Sequence, residues 1–175
     1  MLLTRRRLVQ TAATSALAAP FVQTALAYNL PVTNKIYSIE VKHSGKVLAV
    51  ADASLEQGHR VIQWQYNRDN NEQRWLPVAL GNEIYEFRVL HSGQVIAVAE
   101  ASKDNGVKVI QWPRKQNGPE QQFRVEHWSG DFFYIRPVHS NKFLGISNRS
   151  IYDGADLIQW DNSGGDEQRF KFNRV

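Results

Sequence analysis

Three observations predict an all-β domain made of three equivalent units. The tetrapeptide VIQW at Val61–Trp64 returns as VIQW at Val109–Trp112 and as LIQW at Leu157–Trp160, each copy 48 residues after the last. His43, His91 and His139 keep that interval, as do Gly58, Gly106 and Gly154. Between them run short segments rich in Val, Ile, Leu and aromatics, divided by turn residues, which is the chemistry of strands. The units begin near Lys35, Glu83 and Asp131, giving repeats over 35–82, 83–130 and 131–175. A unit this small cannot bury its own apolar face, so the copies must share a core. Three units, rather than an open series, suggest closure about a threefold axis, and the predicted fold is a β-trefoil with four strands per copy; a short propeller or an irregular sandwich is the alternative.

The elements follow in order. YSIEVKHSGKVLAV in the first copy becomes YEFRVLHSGQVIAV in the second and YIRPVHSNKFLGI in the third: a strand, a tight turn, a second strand. The turn carries Gly45, Gly93 and Asn141, residue types that tolerate the positive φ a tight hairpin demands. The next loop holds Gly58, Gly106 and Gly154 as QG, NG and DG; the last two pairs are strong hairpin signals. RVIQW is the third strand and QRWLPV the fourth. Glu72-Gln73 recurs as Glu120-Gln121 and, one residue early, as Glu167-Gln168, and an aromatic follows each Gln by two positions: Trp75, Phe123 and Phe170. Residues two apart on a strand face one way. The ring is expected to fill core while the amide satisfies backbone groups at the adjoining turn. No segment carries a helical period long enough to compete.

Residues 1–27 read as an export signal and 28–175 as the mature domain. TRRRLVQ places Arg5 and Arg6 ahead of an Ala-rich, mildly apolar run that ends with Ala25 and Ala27 in a small-x-small cleavage pattern before Tyr28. The segment resembles a twin-arginine signal, with Leu8 and Val9 as its hydrophobic pair; an ordinary secretory signal is the alternative. Either route implies export from a bacterial cytoplasm to the periplasm or beyond. The run is too short and too broken by Thr, Ser, Pro and Gln to span a membrane.

Loss of that segment removes Arg5, Arg6 and Arg7, so the formal charge falls by three from +4 to +1. Basicity is then no argument for nucleic acid, and the remaining charges show no basic block. The chain has no cysteine, which excludes disulfides, thiolate metal sites and cysteine nucleophiles. A domain of this size buries about two-thirds of its unfolded surface without such staples.

The pattern SGKVLAV…G…VIQW…NEQRW resembles the ricin B-type (R-type lectin) trefoil repeat, whose hallmark is Gln-x-Trp near the end of each copy, and the resemblance covers essentially all of 28–175. It implies a carbohydrate-binding module in which Trp64, Trp112 and Trp160 stack on the apolar face of a sugar ring. The physics is sound, because a pyranose presents C–H groups that an exposed indole can cover. The alternative is that these rings pack against the next strand. Strand alternation sets Ile62 and Trp64 on one face and Gln63 on the other, without saying which is inward.

Polar partners depart from the family pattern. The family has Asp within the second strand, where this chain has Ala49, Ala97 and Gly145, and Asn before the Gln of Gln-x-Trp, where Glu72, Glu120 and Glu167 stand. Ala and Gly accept no hydrogen bond from a hydroxyl, and Glu lacks an amide donor. A displaced clamp would use Asp52, Glu100 and Asn148, which share one repeat position three residues further on; their alternative role is to cap a turn. The two carboxylates are the stronger acceptors, so the first and second copies are expected to bind better than the third.

The three histidines are expected around the rim, one per copy, and too far apart for a shared metal. Ser44 and Ser92 follow histidines, but strand neighbours point to opposite faces, so no nucleophilic triad forms. No carboxylate pair suggests a glycosidase cleft. The expected activity is non-catalytic, multivalent binding of glycans or glycoconjugates, with no cofactor and no metal. The alternative is a trefoil that has lost its sugar sites and binds a protein, as a protease inhibitor or toxin-associated subunit does.

Overall fold

The structure, a computed structural model, describes residues 29–175; the export-signal reading of residues 1–27 lies outside the described residues. Twelve strands run in chain order: β1 (Tyr37–Val41), β2 (Val47–Val50), β3 (Val61–Trp64), β4 (Trp75–Gly81), β5 (Ile84–Val89), β6 (Val95–Val98), β7 (Val109–Trp112), β8 (Phe123–Ser129), β9 (Phe132–Pro137), β10 (Phe143–Ile146), β11 (Leu157–Trp160) and β12 (Phe170–Arg174). The predicted count of four per copy holds. No α-helix occurs among the described residues; the only helical pieces are single 3₁₀ turns.

Six strands close on themselves. β1 pairs with β12 and β4, β5 with β4 and β8, and β9 with β8 and β12, all antiparallel. This barrel has no free edge within the ring, which removes the usual template for edge-to-edge association. The other six form three hairpins in one register: Val47 opposes Trp64, Val95 opposes Trp112 and Phe143 opposes Trp160. The hairpins meet through bridges Arg60–Ile110, Ile62–Asp156 and Lys108–Ile158. That arrangement is the β-trefoil.

The shared core is built from equivalent positions. Trp75, Phe123 and Phe170 are buried, as are Leu48, Ile96 and Leu144, and all belong to one apolar cluster. The Trp75 indole N–H donates to the Leu48 carbonyl at 3.0 Å. Each such side chain contributes about 1.5–3 kcal/mol by leaving water. Gly45, Gly93 and Asn141 take φ of 67°, 71° and 58°, the left-handed turn their residue types allow.

One expectation is corrected. Gln73 is not on the strand with Trp75; it ends a 3₁₀ turn at Asn71–Gln73, matched by Pro119–Gln121 and Asp166–Gln168. The amide role survives the change. Gln73 Nε2 donates to the Gln65 carbonyl at 3.0 Å while its Oε1 accepts from the Asn67 N–H at 2.8 Å. Gln121 and Gln168 do the same for Pro113 and Lys115, and for Asp161 and Ser163. The chain must turn before the aromatic so that the amide reaches back across the loop.

Strand alternation resolves with Gln63, Gln111 and Gln159 inward and fully buried. Each ties two copies together. Gln63 accepts from Ser44 Oγ at 2.8 Å and donates to the Ser150 and Tyr152 carbonyls at 2.7 and 2.9 Å. Gln111 does this with Ser92, Ser54 and Glu56, and Gln159 with Ser140, Ser102 and Asp104. Every hydrogen-bonding group of a buried amide is thereby matched, which is the condition for burying it without penalty.

Candidate functional site

Because Gln63 points in, Trp64 points out, and the same holds in each copy. Each copy carries a depression lined by equivalent residues. The first holds Ala49, Asp52, Ile62, Trp64 and Glu72; the second Ala97, Glu100, Ile110, Trp112 and Glu120; the third Gly145, Asn148, Ile158, Trp160 and Glu167. Volumes are about 280, 430 and 280 Å³, at the small end of ligand clefts. The structure thus brings Trp64 together with Asp52, Trp112 with Glu100, and Trp160 with Asn148. Trp64 and Trp160 are 44% and 45% exposed, while Trp112 is more covered.

Each indole is flanked by a glycine from another copy. A Cβ at Gly154 would stand 3.8 Å from Trp64 Cζ3; the values are 3.6 Å for Gly58 and Trp112 and 3.3 Å for Gly106 and Trp160. These glycines also sit at φ of 82–83°, where a side chain is strained. The pairing is fixed by backbone bonds: Gly154 N–H donates to the Gln63 carbonyl, Gly58 to Gln111 and Gly106 to Gln159. The glycines serve as hairpin turns, as their sequence implied, and also as close contacts for the tryptophans.

The acidic and amide residues expected of a displaced clamp stand on left-handed backbone. Asp52 and Ala53 have φ of 57° and 48°, Glu100 and Ala101 57° and 52°, Asn148 and Arg149 55° and 51°. Asp52 and Asn148 are types that visit this region, but Ala53, Glu100, Ala101 and Arg149 cost roughly 1–2 kcal/mol each there, and such strain gathers at functional positions. Asp52 is largely exposed, with His59 Nε2 at 3.6 Å from Oδ2.

The glutamates that replace the family asparagine line the same depressions and were not singled out as site residues. The signal was present in their threefold recurrence before Gln. Their environments differ. Burial presses the Glu120 carboxyl upward, but the Lys115 ammonium at 2.6 Å and a backbone N–H outweigh it and hold the group below the usual carboxylate range. Burial likewise opposes ionisation of Glu167, and bonds from Ser163, the backbone and Arg149 again win. Glu72 is half-buried and has no hydrogen-bonding partner among the described residues. The first depression therefore offers two carboxylates with no lysine or arginine partner, Asp52 and Glu72, whereas the second and third each have one already neutralised.

The second-strand positions form the floors. Ala49 and Ala97 are buried. At Gly145 a Cβ would meet Gln168 Cγ at 2.7 Å, so the family aspartate does not fit the third copy without moving Gln168. The histidines sit one per copy, each against a different carbonyl: His43 on Ser150, His91 on Ser54 and His139 on Ser102, at 2.7–2.8 Å. They reinforce the seams between copies.

A closed barrel capped by three hairpins, with one aromatic depression per copy, defines a β-trefoil protein of the repeated-pocket kind. Residues 24–112 and 119–175 match the ricin-type β-trefoil lectin domain-like family, and the chain belongs to that family. A designed threefold symmetric protein, ThreeFoil, is 36% identical with a TM-score of 0.77, over 80% of this chain and 99% of that one. An exo-β-1,3-galactanase from Clostridium thermocellum is 27% identical with a TM-score of 0.77, over 83% of this chain and 31% of that one. The C-half of the earthworm R-type lectin, solved in complex with GalNAc, shares the fold at 20% identity and a TM-score of 0.64, over 81% and 99% of the two chains. No protein of curated function matches.

Proposed function

We propose that the chain is an exported, non-catalytic carbohydrate-binding module that holds glycans through three shallow sites. The observation that carries the reading is the threefold meeting of a solvent-facing tryptophan with a polar side chain on a strained turn: Trp64 with Asp52, Trp112 with Glu100, Trp160 with Asn148. The indole would cover the C–H face of a pyranose, and the carboxylates or amide would accept from its hydroxyls. Membership of the lectin-like family and likeness to a lectin solved with GalNAc support the same reading. Individual sites of this size bind weakly, so densely displayed glycans would be held by multivalency. Export rests on the resemblance of residues 1–27 to a twin-arginine signal.

A glycan array probed with the chain, and with the triple variant Trp64→Ala/Trp112→Ala/Trp160→Ala, tests the proposal. Binding to a restricted set of glycans that disappears in the triple variant is expected. A blank array, or binding indifferent to the three substitutions, removes the sugar-binding reading and puts protein recognition in its place.

A further inference from the structure

The three sites share a plan but not a periphery. Beyond Trp64 lies a second depression, wide and shallow at about 530 Å³, lined by Trp64, Gln65, Tyr66, Asn67, Arg68 and Asn70. Trp64 belongs to both depressions, so the two are continuous across one indole. Tyr66 is 41% exposed. Its loop is held by the Gln73 amide, which bonds the backbone of Gln65 and Asn67, so the surface is set before any ligand arrives.

A third exposed aromatic comes to this place from the last copy. The loop that carries Gly154 to Trp64 also carries Tyr152, 74% exposed. Its carbonyl receives Gln63 Nε2, and the next residue, Asp153, accepts from the Gln65 N–H at 2.9 Å. A Lys46–Asp153 ion pair at 2.6 Å fixes that loop to the first copy. The first site thus has Trp64 and Tyr66 along it and the loop that bears the exposed Tyr152 beside it.

The other two sites have nothing comparable. At the positions of Tyr66 and Tyr152 the second site has Arg114 and Glu56, and the third has Asn162 and Asp104. Arg114 is drawn off to the buried Glu86 carboxylate at 2.6 Å. An aromatic face binds a sugar ring of any sequence through its C–H groups, whereas short polar and charged side chains add no platform. The amides of Gln65, Asn67 and Asn70 supply neutral donors and acceptors for hydroxyls alongside.

We infer that the first site binds a linear oligosaccharide along Trp64 and Tyr66, several rings long, while the second and third sites hold a single ring. This rests on the sugar-binding reading above and gives it a substrate class. The chain length of the ligand, not the ring alone, selects the first site.

The test titrates the chain with galactose and with β-1,3-linked galactobiose, galactotriose and galactotetraose, and in parallel with glucose and the matching cello-oligosaccharides. Indole N–H resonances of Trp64, Trp112 and Trp160 report each site separately in the unmutated protein. The expected result is an affinity at Trp64 that rises about tenfold or more between one ring and three, as one further stacked ring would give. At Trp112 and Trp160 the rise should stay within the small statistical gain of a longer chain. In Tyr66→Ala/Tyr152→Ala the ratio at Trp64 should fall to that of the other two sites. Equal length dependence at all three indoles, or an unaltered ratio in the double variant, overturns the inference and leaves sugar binding standing. No perturbation of any indole by any sugar in the series, together with a blank array, overturns both.

Discussion

Arg60 and Asp156 occupy the same repeat position in the first and third copies, and they meet, with Nη1 2.8 Å from Oδ1. Lys108, the same position in the second copy, places Nζ 3.0 Å from the other oxygen. Perfect repetition would set three like side chains here, where β3, β7 and β11 bridge one another. The chain instead varies its charge where three equal charges would repel.

The electrostatics of Asp156 give the first prediction. Burial works against its ionisation, but bonds from Arg60 and Lys108 hold its carboxyl below the usual range. A depressed folded pKa means the contribution is present above the unfolded value of about 3.9 and is lost as pH falls through the folded one. Asp156→Asn should cost about 1 kcal/mol at neutral pH and low salt, since the pairs are partly exposed. Urea unfolding at neutral pH and below pH 4 should show the gap between variant and parent closing in acid. A gap of the same size at both ends would refute the assignment.

The tryptophans divide into two kinds. Trp64→Ala removes a half-exposed ring and should cost less than about 2 kcal/mol of folding energy, whereas Trp75→Ala empties the core and should cost about 3–5 kcal/mol. Chemical denaturation of the two variants side by side decides this. If Trp64→Ala proves as costly as Trp75→Ala, the ring is a packing residue and the platform role is lost.

Gln111→Ala would strand the carbonyl of Glu56 and the hydroxyl of Ser92 and leave the Ser54 carbonyl to His91 alone. A loss of about 2–3 kcal/mol is expected from leaving buried groups unpaired. Gln111→Glu should rescue little, because a carboxylate cannot donate to two carbonyls. Near-parental stability in either variant would mean that the seam between copies does not depend on this amide.

Ala53 and Ala101 hold left-handed backbone without glycine. Ala53→Gly and Ala101→Gly should each raise stability by about 0.5–1 kcal/mol, relief of the αL penalty exceeding the added chain entropy. Thermal melts of the single variants measure it, and a lowered melting temperature would show that the turn is not strained.

Export has its own test. Replacing Arg5 and Arg6 together with Lys should block processing of the chain if the twin-arginine route carries it. Undiminished processing would assign it to the general secretory route.

Much of this fold was legible because repetition amplifies weak signals. VIQW at a fixed interval located β3, β7 and β11, and Gly45, Gly93 and Asn141 announced the left-handed turns that φ confirms. What the residues could not show was orientation. Alternation separates Gln63 from Trp64 but is blind to which side is inside, and the partners that decide it, Ser150 and Tyr152, lie in another copy. The turn at Gln73 is hidden for a related reason: its two-residue spacing from Trp75 fits a strand, and only the reach to Gln65 and Asn67 demands a turn. The left-handed pairs at Asp52-Ala53 and Glu100-Ala101 carry little sequence mark, since Ala and Glu do not favour that conformation and an Asp in one copy is a weak signal. Arg60, Lys108 and Asp156 are not legible from repetition, because they matter by differing.

The Gln63 clamp also dictates an order of events. The first tryptophan to be synthesised is bounded by Gly154 and tied through Gln63 to Ser150 and Tyr152, residues of the last copy to be made. The first site therefore cannot exist on a nascent chain that ends within the second copy. It appears only once the third copy has been made, so the binding surface written earliest in the chain is completed after the second, whose Trp112 needs only Gly58 from the first copy, and its occupancy reports that the last copy has joined the first.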